Sequence, residues 1–276
     1  MLKFLRWGLI IILALGVPVF LYVAYFADEP VMEVEYDVEM GQRTVEAIAA
    51  DTEEYTLLSE DDYPEAYALL RNLVQEISES EAIQYRDIFA YDSVTIIDDD
   101  GTLNAFCAPG GFIYVYTGLI RYLDAEDHLA GVLGHEIAHA ERRHSSLQLQ
   151  KEYGKERLLE FLALTAPVGI RNIAFAAIVT KLTNLSYSRE HEAEADEYSV
   201  RYLADTPYAC DGAAGFFEKI VNEGDMVEIP ALLSDHPDSP SRISDIHHAA
   251  EAAGCDTKMG DQSRWREFQA SLPEVP

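Results

Sequence analysis

The sequence predicts an α+β fold, mostly helical, in which a small antiparallel sheet packs on one histidine-bearing helix. Three observations point there. Apolar residues recur at helical spacing over most of the 276 residues, and β-branched and aromatic runs are confined to the stretch from Ile88 to Thr117. The run Gly131-Val132-Leu133-Gly134-His135-Glu136-Ile137-Ala138-His139-Ala140 follows directly. With 49% apolar residues the chain can bury a core, so disorder is not the default.

In chain order, Trp7 to Phe26 carries no charge and is long enough to cross a hydrocarbon layer. Lys3 and Arg6 precede it and Asp28, Glu29, Glu33 and Glu35 follow, so the N-terminus is expected on the cytoplasmic side and the rest outside. Tyr25, Phe26 and Ala27 make a poor cleavage site, which favours an anchor over a signal peptide. The expected organisation is a cytoplasmic basic N-terminus over 1–6, a transmembrane anchor over 7–26, a linker over 27–38, one domain over 39–255 and a tail over 256–276. Helical spacing covers Glu39 to Ala50 and, after Pro64, Tyr63 to Ile77. Strand text follows in Ser93-Val94-Thr95-Ile96-Ile97 and, after Pro109-Gly110-Gly111, in Phe112 to Thr117.

Asp124 reads as the N-cap of the histidine-bearing helix, with Asp127 in an acidic first turn and Leu129, Val132, Leu133 and Ile137 as its apolar face. Leu158 to Leu182 is apolar but broken by Pro167, Gly169 and Arg171, and reads as two short buried helices. Ser188 to Asp205, Gly212 to Asn222 and Ser241 to Ala253 carry the remaining helical text, and no internal repeat is present.

The chemistry lies in the central run. His135 and His139 are four residues apart and therefore share one helix face. Two neutral imidazoles so placed can bind Zn²⁺, and Glu136 can reach a water beside the ion as its base, the arrangement of a zinc-dependent hydrolase. A third ligand must come from elsewhere. A histidine six residues after His139, with a glycine three residues after it, would be one solution, but those positions hold Ser145 and Arg142, and His144 is one residue out of register. His144 is expected to end the helix or support the site. The other source is Glu190, Glu192 or Glu194 in Ser188-Arg189-Glu190-His191-Glu192-Ala193-Glu194-Ala195-Asp196, where Glu192 and Asp196 share a face; spacing leaves the choice open.

These two blocks, His-Glu-Ile-Ala-His and Ser-Arg-x-x-Glu-x-x-Ala-Asp, resemble the zinc metalloprotease family that holds HtpX-like, CAAX prenyl endopeptidase-like and BepA-like peptidases, a group of gluzincins. Of these the chain is most like the compact, single-anchor exported members. The resemblance implies a zincin-type metalloprotease domain holding one Zn²⁺ per chain, with His135, His139 and Glu192 as ligands, Glu136 as catalytic base and Asp196 as supporting carboxylate. Asn104-Ala105-Phe106 is similar to the strand that pairs with substrate backbone in related zincins, which makes Asn104 and Ala105 candidate substrate-binding residues. His236-Pro237 with Ser241-Arg242-Ile243 is similar to a late segment whose histidine approaches the metal, so His236 is a candidate to stabilise the oxyanion or to cap the zinc in a latent state. The implied function is a membrane-anchored zinc endopeptidase on the periplasmic side of a bacterial inner membrane. It would act on extended or misfolded exported polypeptides, and the alternative is an inactive or latent chaperone-like module of the same fold.

Composition excludes other classes. The formal charge of -29 argues against nucleic acid as a partner. Cys107, Cys210 and Cys255 show no zinc-type spacing, but Cys210 and Cys255 are a candidate disulfide in an oxidising compartment. Membrane contact is expected through the N-terminal anchor.

Overall fold

A computed structural model of the chain describes residues 30, 32–154, 186–223, 231–232, 236 and 241–274. The expected anchor over 7–26 and the apolar stretch from Leu158 to Leu182 lie outside the described residues. Among the described residues no helix is long and apolar enough to cross a membrane.

Two helices lead, α1 (Glu35–Ala50) and α2 (Pro64–Ser78), the second opening on the proline that its fixed φ suits to a first turn. Strands β1 (Val94–Ile97), β2 (Ala105–Ala108) and β3 (Phe112–Tyr116) follow. Next come the short α3 (Thr117–Tyr122), the histidine-bearing α4 (Glu126–Glu141) and α5 (His144–Tyr153). The described chain then continues through α6 (Arg189–Leu203), α7 (Gly212–Glu223), α8 (Arg242–Ala253) and α9 (Ser263–Ala270). The mostly helical α+β expectation holds.

The sheet is mixed rather than wholly antiparallel, in the order β1-β3-β2. β2 and β3 form an antiparallel hairpin whose turn uses Gly110 and Gly111 at φ of 80° and 90°, where side chains are strained. β1 adds to the far side of β3 in parallel, Val94 opposite Ile113, because the chain from β1 crosses past β3 before entering the hairpin. β2 is thereby left as an edge.

α4 is the centre of the molecule. Nearly every residue of it is buried, between β2 on one side and α6 and α7 on the other. Its glycines permit this: a Cβ on Gly131 would lie 1.9 Å from the backbone nitrogen of Ala213, so α7 can approach only there. Ser199 on α6 donates to the Gly131 carbonyl at 2.8 Å, which locks the α4–α6 rotation. The expected N-cap at Asp124 is a difference. The helix starts after Ala125, which offers no side-chain cap. Asp124 instead pairs with Lys219 at 2.6 Å, and Asp127 accepts from the Ala209 amide at 2.8 Å and from Gln262 at 2.9 Å. Long-range partners here outbid the local cap.

The C-terminal residues join the core. α9 buries Trp265 and Phe268, and Cys210 and Cys255 form a disulfide that ties the start of α7 to the end of α8.

Candidate metal centre

α4 supplies His135 and His139 on its inner face, with rings 4.6 Å apart, and α6 crosses it so that Glu192 meets them. Ser188 caps α6 by accepting from the His191 amide, and this sets which acidic residues of the first turns face inward. Glu192 turns in and is buried, Glu190 is exposed, and Glu194 is held aside by Arg142 and His144. Single ligand atoms from His135, His139, Glu192 and His236, all buried, lie within 4.8 Å of one another.

The hydrogen bonds outside this cluster fix what faces inward. His135 Nδ1 lies 2.8 Å from Asp196 Oδ1 and donates to that carboxylate, leaving Nε2 toward the cluster. Asp196 is gripped in turn by both arms of the buried Arg242 guanidinium, at 2.7 and 2.8 Å. A third contact of Arg242 reaches Glu192 Oε2 at 3.1 Å. On the other imidazole, His139 Nδ1 meets His144 Nδ1 at 2.9 Å, and His144 Nε2 meets Glu194 Oε2 at 3.1 Å. The consistent assignment is a relay in which His144 donates to Glu194 and accepts from His139, so that Nε2 of His139 also faces the cluster. Tyr187 stacks on the His139 ring at 4.0 Å, with its hydroxyl on Ser145 at 2.8 Å.

The donor set fits a divalent cation. Nε2 of His135 and Nε2 of His139 stand 3.0 Å apart, and two imidazole nitrogens that close need a proton or a cation between them. The electrostatics ask for the same charge. Burial alone would lower the His135 pKa, but hydrogen bonds to Asp196 and Glu192 outweigh it and push the ring up to about 9. Burial would raise Glu192, and His135 and His236 instead hold it far below the ordinary carboxylate range. His139 is held well below the usual imidazole value, first by burial and then by the charge favoured on the neighbouring His135. A raised His135 beside a lowered Glu192 favours a positive charge at the centre, which a bound cation would supply in place of the proton.

Glu136 sits next to this cluster, raised above its usual pKa by burial against the opposing pull of His236 and His135. Its Oε1 is buried and accepts no hydrogen bond among the described residues; His236 Nε2 lies 3.5 Å away. His236 Nδ1 reaches 3.1 Å from Glu192 Oε1 and 3.2 Å from His135 Nε2. Asn104 and Ala105 are not in the cluster but lead into edge strand β2, and the buried Asn104 Oδ1 also accepts no hydrogen bond among the described residues.

Sequence reasoning brought His135, Glu136, His139, Glu192, Asp196 and His236 to one place, and the structure does the same. It left Glu194 among three open ligand choices and assigned no role to Arg242 or Tyr187. The Ser-Arg-Ile signal at the start of α8 was visible for Arg242, whereas nothing in the local pattern marks Tyr187 or separates Glu194 from its acidic neighbours.

Comparison with known proteins gives an independent line. The profile of Peptidase family M48 matches residues 67–250. The chain is similar to the beta-barrel assembly-enhancing protease of Escherichia coli (strain K12), 27% identical over 164 residues, 56% of this chain and 34% of that one. It is similar to mitochondrial metalloendopeptidase OMA1 of Schizosaccharomyces pombe, 31% identical over 148 residues, 53% of this chain and 43% of the relative. Metalloprotease YcaL of Escherichia coli (strain K12) is 27% identical over 147 residues, 52% of this chain and 57% of its own. The matched stretches thus span 34% to 57% of these relatives.

Proposed function

The chain belongs to peptidase family M48, and from that premise we propose that it is a zinc metalloendopeptidase acting on extended or misfolded exported polypeptides, in envelope protein quality control. The observation that carries the reading is the convergence of His135, His139 and Glu192 beside an unbonded oxygen of Glu136. Those three would hold one Zn²⁺, which supplies Lewis-acid polarisation of the scissile carbonyl and lowers the pKa of water beside it. Glu136 takes the proton from the attacking water and passes it to the leaving amine. A carboxylate raised by burial suits both halves of that transfer. Asp196, gripped by Arg242, keeps His135 oriented.

Substrate backbone adds to the open edge of β2. The Tyr116 amide donates to the Asn104 carbonyl at 3.1 Å, so by antiparallel alternation Ala105 and Cys107 present their backbone groups outward. The unbonded Asn104 Oδ1 supports a polar contact there. Backbone pairing reads extension more than sequence, which suits unfolded substrates. An extracytoplasmic location with an anchor over 7–26 rests on the charge asymmetry of the N-terminus, and the Cys210–Cys255 disulfide supports an oxidising compartment.

Glu136→Gln is expected to retain zinc and lose cleavage of casein; retained cleavage removes Glu136 from its role. A specific observation favours a second reading of His236: its Nδ1 lies among the ligand atoms and its Nε2 near the base, the position of a latch. As latch, His236→Ala raises casein cleavage. As oxyanion donor, the same change lowers kcat by a factor worth about 3 kcal/mol.

A further inference from the structure

Beside the candidate centre lies a pocket walled by Val132, Ala213, Phe216 and Phe217, with Glu136 at one end. Leu232 and His236 complete its lining. The void that remains is about 10 Å³, at the lower limit for one water, and Leu232 is buried at 4% exposure. What holds Leu232 there is not the core alone. Its amide donates to the carbonyl of Leu103, two residues before β2 begins, at 3.2 Å. Its carbonyl accepts from the amide of His236, four residues on, at 2.9 Å, which helps place His236 among the ligand atoms.

An apolar side chain, its backbone paired just ahead of the edge strand, and the next polar group at the metal cluster are the three contacts a substrate residue next to the scissile bond would make. We propose that Leu232 occupies the specificity pocket of the enzyme, and that this pocket selects a leucine-sized apolar residue on one side of the bond to be cut. The inference rests on the endopeptidase reading above and gives it a substrate preference. The walls explain the preference chemically. Ala213 leaves room where a larger residue would fill the space, Val132 projects from the turn of α4 before His135, and the two phenylalanines exclude water. The Phe217 ring is itself fixed under the Arg242 guanidinium at 4.2 Å, so the pocket wall and the Asp196 support share one anchor.

The test uses the full chain loaded with Zn²⁺ and calorimetric titration of two small zinc-binding probes, leucine hydroxamate and glycine hydroxamate. In wild type, where Leu232 fills the pocket, the two probes are expected to bind within about threefold of each other. In Leu232→Ala, which vacates the pocket, leucine hydroxamate is expected to bind about tenfold tighter or more than glycine hydroxamate, the discrimination an apolar pocket gives, while glycine hydroxamate keeps its wild-type affinity. Equal affinities of the two probes in Leu232→Ala overturn the inference. So does a Leu232→Ala protein that binds both probes more weakly, because Leu232 is then an ordinary core residue. Mass spectrometry of casein fragments supplies the second arm: Leu, Ile, Met or Phe enriched at one flanking position supports the pocket, and cut sites without such enrichment overturn it. Should the hydroxamate pattern hold while casein stays intact in wild type and in His236→Ala alike, the pocket stands and the endopeptidase reading fails.

Discussion

His139, a proposed ligand, is held by groups outside the proposed ligand set. One ring nitrogen faces the cluster only because the other is engaged by His144, which is engaged by Glu194, which Arg142 holds at 2.7 Å, while Tyr187 stacks on the ring face. Outer partners of this kind are commonly worth 10–100-fold in metal affinity. His144→Ala is therefore expected to weaken zinc binding by roughly that factor in a competition titration with a chromogenic chelator, with helix content by circular dichroism preserved. Unchanged affinity would show the relay to be incidental. The pair His135 and His139 was legible because a four-residue spacing fixes two side chains on one face whatever else the chain does. Glu192 was not legible from spacing. Three glutamates alternate at the start of α6, and which one turns inward depends on the rotation of α6 on α4, a tertiary quantity set by contacts such as Ser199 on the Gly131 carbonyl. Family resemblance supplied what periodicity lacked.

Among the elements, boundaries followed apolar periodicity closely in α2, α6, α7 and α8, since burial of one face decides a helix more than its ends do, whereas α1 starts at Glu35, inside the expected linker over 27–38. The ends were less legible. Asp124 had the right residue type for a cap, yet α4 begins without it because Lys219 lies within reach only in the folded chain. The parallel β1–β3 pair was equally hidden, since a short connection between strands does not say on which side of the hairpin the first strand will add. One inter-element contact carries a pH dependence. On α8, His247 puts Nδ1 3.0 Å from Asp211 and Nε2 3.1 Å from Glu218 on α7. Burial would lower its pKa, but those two carboxylates outweigh it and hold it above the ordinary imidazole value. A raised histidine contributes stability that is complete below the unfolded pKa, near 6.5, and is lost as pH rises through the folded value. The difference in Tm between wild type and His247→Gln is thus expected to be largest below pH ~6.5 and to shrink above it. A difference independent of pH would mean that the ring acts by packing alone. Because His247 is 42% exposed, solvent screening keeps the effect small.

For the molecule as a whole, the site is a junction between distant parts of the chain. α4 brings two imidazoles, α6 a carboxylate, and α8 the arginine that orients the support, while the disulfide closes the C-terminal region and by loop entropy contributes on the order of 4 kcal/mol. The cysteine pairing was legible as a candidate because only three cysteines compete for partners; its geometry was not, since sequence separation carries no distance. A metal ion held at this junction would cross-link α4 to α6, and removing it is expected to cost stability as well as activity. The central claim is that Glu192 completes the metal site, and the most direct measurement is zinc content by atomic emission after exhaustive dialysis, wild type against Glu192→Ala. The account predicts one zinc per chain in wild type and far less in the variant. A stoichiometric zinc in Glu192→Ala would contradict it.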